Sequence, residues 1–386
     1  MQAQIPRISI DLPRKLVFGD QSLDVFIDYF ISLGHTNVFL LADPNVQAPL
    51  EKLRAAFTRA GIHCILNTGI THEPTLGEFQ AVLSEAESNR IDSVIGMGGG
   101  SVLDVAKLLA ALCYSKIPVS STFGTGNIPG RKLFLACLPT TAGTGSEVSP
   151  NSILLDENDG LKKGIISPFL VPDATFVDPE LTHSVPPAVT ASTGIDALTH
   201  CIEAYANKNA HPLIDTFALQ GIELIFHNLE TACRNGKDSS ARSAVALGSM
   251  YGGLCLGPVN TAAVHALAYP LGSEYKIAHG VSNALLLPHV LEFNLSAGVA
   301  RYASIARVIG VKDGRSEQEV AKKGIEKISE LCRNVGIPET LVGFNLSREN
   351  VPSLAKSAIS VQRLLKNNLR EVSEKDAAEI YYKLFE

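Results

Sequence analysis

Asp196 and His200 stand four residues apart in STGIDALTHCIEAY (192–205). On a helix they share a face and point the same way. Ile195, Ala197, Leu198, Ile202 and Ala204 make that helix apolar, so a carboxylate and an imidazole one turn apart enter a core. Such groups need partners there, because an unsatisfied buried polar group costs about 1–3 kcal/mol. Two more histidines have apolar settings: His265 in AAVHALAYPLG (262–272) and His279 in YKIAHGVSNALLLPHV (275–290). One Asp and three His form a good donor set for a divalent transition metal. Imidazole suits Fe, Zn, Co or Ni, and the carboxylate leans the set away from thiolate sites. With a substrate oxygen as a further ligand, the site would be catalytic. Taken singly, an apolar-flanked histidine is more often a core residue bonded to a carbonyl, and His211, His227 and His289 are read that way.

A second chemistry belongs to glycine. IGMGGGSVLDVAK (95–107) joins an apolar run to a helical one. Gly98, Gly99 and Gly100 let backbone approach a ligand closely, Ser101 is expected to cap the helix, and free N–H groups with the helix dipole favour a phosphate. The run is not GxGxxG, and no acidic residue closes a compact dinucleotide fingerprint after it. LPTTAGTGSEVSPNS (138–152) is dense in hydroxyls; Thr140, Thr141, Thr144 and Ser146 could donate to phosphate or ribose. Asp43, in FLLADPN, ends a buried strand. A carboxylate there can accept from a ribose diol and repel a 2′-phosphate, favouring NAD over NADP; its bland reading is an Asx-turn before Pro44.

These residues need two kinds of scaffold. In the first half, strand-like runs at 37–43, 63–68 and 92–98 alternate with helical runs at 46–61, 75–89 and 102–113, the pattern of a parallel sheet with crossover helices. From about 186 the pattern is helical, with helices near 187–207, 212–234, 238–256, 260–271, 298–309, 316–335 and 373–385. Prolines punctuate the border at 177–190. The expected organisation is an α/β domain, 1–185, followed by an all-α domain, 186–386. At 386 residues the chain exceeds what one core usually serves. Its 46% hydrophobic and 19% charged residues are an ordinary globular composition. A net charge of −6 without a basic cluster disfavours nucleic acid or an anionic membrane as partner. Seven scattered cysteines, with no CxxC pair, disfavour a disulfide framework or a thiolate zinc site. The N-terminus lacks an apolar signal segment, and glycines, prolines and His265 interrupt the longest apolar stretch, 244–272. A cytoplasmic protein is expected.

In order and spacing, GGGSVLDVAK, PTTAGTGSEV, TGIDALTHCIEAY and VHALAYPLG…AHGVSNALLLPHV resemble the iron-dependent (group III) alcohol dehydrogenases, nearly end to end. The resemblance implies the dehydroquinate synthase-like architecture of that family, with dinucleotide binding for the first domain, metal and substrate binding for the second, and the active site in the cleft between them. It implies Asp196, His200, His265 and His279 as ligands of a divalent metal, Fe²⁺ first and Zn²⁺ or Ni²⁺ as alternatives. Gly98, Gly99, Gly100 and Ser101 would hold the cofactor pyrophosphate, Thr140, Thr141 and Thr144 would line the cofactor site, and Asn151 and Lys162 would lie near the nicotinamide and ribose. The implied reaction is metal-assisted hydride transfer between NAD(P) and a small alcohol, aldehyde or ketone, in a homodimer. Many members carry HxxxH in the third motif, the second histidine helping to move the proton; here that position is Tyr269, expected to shape the pocket and orient the substrate oxygen. Pro258 stands where the family often has an Asn-Ala pair. SVQRLLKNNLREV (360–372) matches a segment bordering the substrate pocket; if Arg363 or Lys366 on it faces the cleft, the substrate would carry a carboxylate or another anion, the bland reading being a solvated face. The alternatives are a metal- and NAD-dependent lyase or cyclase of the dehydroquinate-synthase type, which needs more Lys and Arg than are seen, and a non-catalytic metal-stabilised binding protein.

Overall fold

Strand β2 (Asn37–Ala42) has the sequence NVFLLA, with all but its first residue buried. A strand apolar on both faces belongs inside a parallel sheet covered on both sides. The computed structural model describes residues 5–386 and builds that sheet from β1 (Lys15–Phe18), β2, β3 (His63–Asn67), β4 (Ser93–Gly98), β6 (Phe134–Pro139) and β9 (Ala174–Val177). The order is β1-β9-β6-β4-β2-β3, every pairing parallel. Val38, Leu40 and Ala42 pack on one side, towards α1 (Ser22–Ser32) and α2 (Gln47–Arg59). Phe39 and Leu41 pack on the other, towards α3 (Leu76–Ser88) and α4 (Gly100–Leu112). A second sheet joins β5 (Gly124–Thr125), β8 (Leu161–Ile166) and β7 (Asn151–Asp156), with β7 and β8 antiparallel. These elements form one compact unit, Asp11–Val185.

After β2 the chain places β3 on one flank and β4 on the other. Such a reversal of strand order opens a crevice at the carboxyl ends of the two central strands, where open α/β sheets bind ligands. Asp43 follows β2 and the glycine run follows β4, so both lie at that point.

The second unit is Pro186–Glu386 together with the N-terminal residues up to Ile10. It is helical: α5 (Pro187–Tyr205), α6 (Pro212–Arg234), α7 (Ser239–Leu256), α8 (Ala263–Tyr275), α9 (His279–Asn294), α10 (Val299–Val308), α11 (Glu317–Asn334), α12 (Val351–Ile359), α13 (Gln362–Leu365) and α14 (Glu374–Lys383). Helices α9, α12 and the one-turn α13 are absent from the helices expected from the sequence. Leu285, Leu286 and Leu287 followed by Pro288 give α9 no helical period. Helix α8 starts later and runs longer than the 260–271 expected. Among the described residues, no helix is long and apolar enough to cross a membrane; the first four residues of the segment examined for a leader lie outside them.

Candidate metal centre and cofactor loops

From Gly194 to Tyr205 every residue of helix α5 is buried, and Asp196 and His200 are 2% and 5% exposed. Helices α8 and α9 pack against it and bring His265 and His279 to the same spot. Asp196 Oδ1 lies 3.9 Å from His200 Nε2, 3.4 Å from His265 Nε2 and 3.7 Å from His279 Nε2. The rings of His200 and His265 stack with centroids 4.7 Å apart, and those of His265 and His279 meet edge-on at 5.3 Å. A tetrahedron of bonds ~2.1 Å long has edges of ~3.4 Å, close to the separations of Asp196 from His265 and His279. Asp196, His265 and His279 each offer a ligand atom within 4.8 Å of the others.

Two residues complete the cluster that spacing alone did not single out. Glu203, 4% exposed and two turns along from Asp196, accepts the Val264 N–H at 2.6 Å, and its other oxygen lies 2.6 Å from His265 Nδ1. A carboxylate on Nδ1 fixes the proton there and leaves the Nε2 lone pair aimed at the cluster, the usual support of a metal-ligating histidine. Asn283, one turn after His279, donates through Nδ2 to Asp196 Oδ1 at 2.6 Å and sits 3.2 Å from both His265 Nε2 and His279 Nε2. Its Oδ1 is buried without a partner. The positive end of an amide dipole thus stands where these acceptors converge, a position a cation also fits. Electrostatics agree. Burial opposes a charge on Asp196, yet His200, His279 and His265 outweigh it and hold the carboxyl well below its ordinary range. Burial opposes a charge on His265 too, but hydrogen bonds to Asp196 and Glu203 push it up to about 9. The cluster draws positive charge into a buried site.

His279 is the open side, its side chain 33% exposed against 3–6% for the other three. Tyr269, half-buried one turn after His265, has its ring 6.4 Å from that of His279. The phenol oxygen lies 3.3 Å from Arg363 Nη2. Lys366 on the same segment is exposed. His211 and His227 hydrogen-bond to backbone carbonyls, of Pro6 and Val308, and burial pushes His289 down from its ordinary pKa; none joins the cluster.

In the α/β unit the glycine run and the hydroxyl-rich loop lie together: Thr140 N–H donates to Gly98 O at 3.0 Å. A Cβ on Gly100 would come within 2.5 Å of the Thr144 methyl, too close for the loops to meet as they do, and one on Gly99 would lie a tight 3.3 Å from the Thr141 hydroxyl. Ser101 does not cap α4. The helix starts at Gly100, Gly99 is its N-cap and no side chain caps it, because the turn tightens one residue earlier than the sequence suggests. The first N–H groups of α4 therefore point outward with the positive end of the helix, beside Thr140, Thr141 and Thr144, an arrangement that suits an anion. Asp43 N–H donates to Met97 O at 2.9 Å, fixing its backbone beside β4; its Oδ1 accepts from the backbone and side chain of Asn45, both at 2.9 Å. The Asx-turn is thus present.

The hydroxyl loop is anchored by a network the sequence did not reveal. Lys107, on α4 and 0% exposed, donates to Ser146 O at 3.0 Å, to Ser146 Oγ at 2.8 Å and to Asn151 O. Asp104 accepts from Ser146 Oγ at 2.5 Å and from the Ile153 N–H at 2.9 Å. Burial lowers the Lys107 pKa and raises that of Asp104, each partly offset by the other's charge. Asn151 is held by its backbone, and its Oδ1 is buried without a partner, an acceptor for a ligand amide. Lys162, its side chain 2% exposed, pairs with Glu73 at 2.6 Å; Lys163, the next residue on β8, pairs with Asp159. Strand alternation separates the two lysines.

The model of the iron-containing alcohol dehydrogenases matches residues 13–179, and that of the C-terminal part of the Fe-containing alcohol dehydrogenase family matches residues 190–385. The chain is 37% identical over 373 residues to long-chain-alcohol dehydrogenase 1 of Geobacillus thermodenitrificans (strain NG80-2), covering 95% of this chain and 94% of that protein. A crystal structure of 1,3-propanediol oxidoreductase superposes with a TM-score of 0.94 at 30% identity, covering 98% of this chain and all of the other. That of sulfoacetaldehyde reductase from Bifidobacterium kashiwanohense in complex with NAD⁺ gives 0.88 at 29%, covering 98% and 99%. Two family models over most of the chain, and relatives matched almost end to end, make this protein an oxidoreductase of the iron-containing alcohol dehydrogenase family.

Proposed function

We propose that this enzyme interconverts a small alcohol and its aldehyde or ketone, with NAD(H) as hydride partner and a divalent metal held by Asp196, His200, His265 and His279. The observation that carries this is the grouping of Asp196, His265 and His279, with His200 Nε2 3.9 Å from the same Asp196 oxygen and the Asn283 amide nitrogen among them. A divalent cation supplies Lewis-acid polarisation of an alcohol or carbonyl oxygen. The family's name supports Fe²⁺, and the same donors take Zn²⁺ or Ni²⁺. Nicotinamide supplies hydride chemistry; in oxidation the carbinol hydrogen leaves with two electrons and the hydroxyl proton goes to water.

The chain's own residues do the positioning. Glu203 orients His265, and the Asn283 amide nitrogen stands where the Asp196, His265 and His279 acceptors converge. Tyr269 borders the open side, where its phenol can orient a substrate hydroxyl. The uncapped start of α4, with Gly98, Gly99, Gly100 and Ser101, would hold the pyrophosphate; Thr140, Thr141 and Thr144 would flank it. The unpartnered Asn151 Oδ1 supports a contact with the carboxamide, and Lys162, steadied by Glu73, one with the ribose. Asp43 at the end of β2 supports NAD over NADP. In this reading the cofactor domain is 1–185 and the metal and substrate domain 186–386, although the N-terminal residues up to Ile10 group with the helical unit. Seven cysteines, all unpaired, fit a cytoplasmic setting. The edge strand β1, with Leu16 exposed on it and Leu12 exposed just before it, suits a homodimer contact.

The test is a panel of aldehydes with NADH and NADPH, on protein reconstituted separately with Fe²⁺, Zn²⁺ and Ni²⁺. Asp196→Ala and His265→Ala are expected to lose activity and most bound metal while the α/β unit stays folded. Full metal content in both variants, by elemental analysis, would overturn the ligand set; faster turnover of wild type with NADPH at low concentration would overturn the cofactor choice.

A further inference from the structure

We propose that Arg363 reads an anionic group on the substrate, so that the enzyme favours short-chain aldehydes bearing a carboxylate or a like acid at the far end. The inference deepens the metal-dependent reading above and rests on it for the reaction, but not for the binding. Arg363 is half-buried on α13, and its Nη2 lies 3.3 Å from the Tyr269 oxygen. Tyr269 neighbours His279, the exposed corner of the cluster. A guanidinium therefore stands one phenol away from the side through which a substrate oxygen would enter.

Among the described residues no carboxylate meets the charge of Arg363. Arg131, Arg234, Arg301, Arg307, Arg333 and Arg370 each have a carboxylate within ion-pair distance. Among the described residues no such partner stands beside Arg363, and residues 360–370 contain no acid at all. The segment is also fixed in place: Asn367 donates to Thr261 O, just ahead of α8, at 2.8 Å, and to Arg363 O at 3.4 Å. Guanidinium carries five donors in a planar fork matched to carboxylate, and the phenol engages one nitrogen. A pre-positioned, partly desolvated cation beside the open corner of a metal cluster is a recognition element for an acid, not a solvated surface charge.

The test uses the metal-reconstituted protein and Arg363→Gln, whose amide can still donate to Tyr269 while lacking the charge. Calorimetric titration compares γ-hydroxybutanoate with n-butanol, and kcat/KM is measured for succinic semialdehyde and butanal. The substitution is expected to weaken γ-hydroxybutanoate about 10- to 100-fold, the scale of one lost charge-assisted interaction, and to leave n-butanol unchanged. The kcat/KM values should split the same way, with Arg363→Lys recovering part of the loss. Equal losses for acid and neutral ligands would reduce Arg363 to a prop for Tyr269 and overturn the proposal, as would unchanged affinity for the acid. If wild type binds the acid through Arg363 yet turns over neither aldehyde with any of the three metals, the oxidoreductase reading falls and the anion site stands.

Discussion

Glu203 separates holding a metal from holding the fold. It touches His265 only through the ring nitrogen that faces away from the cluster, and it also takes the Val264 N–H near the start of α8. Glu203→Gln keeps the shape and an acceptor for one of these donors but removes the charge that supports His265 Nε2 as a ligand. It is expected to weaken metal binding about 10- to 100-fold, measured by competition with a chelator, with unchanged far-UV circular dichroism. Unchanged affinity would make Glu203 a helix-packing residue alone. The Asp196–His200 pair was legible because four-residue spacing on an apolar helix leaves few bland readings. Glu203 follows on the same face and Asn283 follows His279 by the same spacing, so both positions were visible. Their roles were not, because Glu and Asn on a helix are ordinarily solvated. Only the packing of α8 and α9 on α5 turns them inward. Tyr269 follows His265 by the same spacing, and its ring lies 6.4 Å from that of His279; its Arg363 partner is 94 residues away and no local pattern links them.

At the scale of elements, α9 was the main omission. An uninterrupted apolar run ending in proline has no 3.6-residue period, and Gly280 reads as a turn. Its structural role is close approach: a Cβ there would come within 2.4 Å of Ser192 O on α5. Backbone on both sides cannot yield as a side-chain tip can, so Gly280→Ala must shift the start of α9 and His279 with it. The expected cost is about 1–3 kcal/mol of stability, as for other overpacked sites, read by urea denaturation. A weaker grip on metal should accompany it. An alanine variant with wild-type stability and metal affinity would show that the two helices are free to separate there. The α/β alternation was legible because β2 and β4 are buried on both faces and read as short apolar runs between amphipathic helices. Boundaries were less so: the cap of α4 sits at Gly99, where backbone geometry and not a hydroxyl ends the turn. The Lys107–Asp104 anchor was hidden because lysine is so seldom fully buried.

Over the whole molecule, one group links the stability of the α/β unit to pH. Glu147 is 3% exposed, between Ser146, which Lys107 holds, and the strands beyond. Burial pushes its carboxyl up to about 7 from an ordinary 4.5, with its own backbone N–H and the Lys107 charge pulling the other way. The folded state therefore keeps a proton on Glu147 between these two values while the unfolded chain releases it. When the folded state binds more protons, stability falls as pH rises. The contribution is fully present below 4.5 and lost as pH climbs through about 7. A shift of this size corresponds to about 3 kcal/mol over the window. Glutamine is close in shape to the protonated acid and does not ionise. Glu147→Gln is thus expected to raise stability at pH 8 by up to about 3 kcal/mol and to change it little at pH 4.5. The measurement is the denaturation midpoint of the transition that melts the sheet, followed for both proteins at the two pH values. A variant less stable than wild type at pH 8 would mean that the folded state holds the carboxylate charged and paired with Lys107, and the slope of stability with pH would then run the other way.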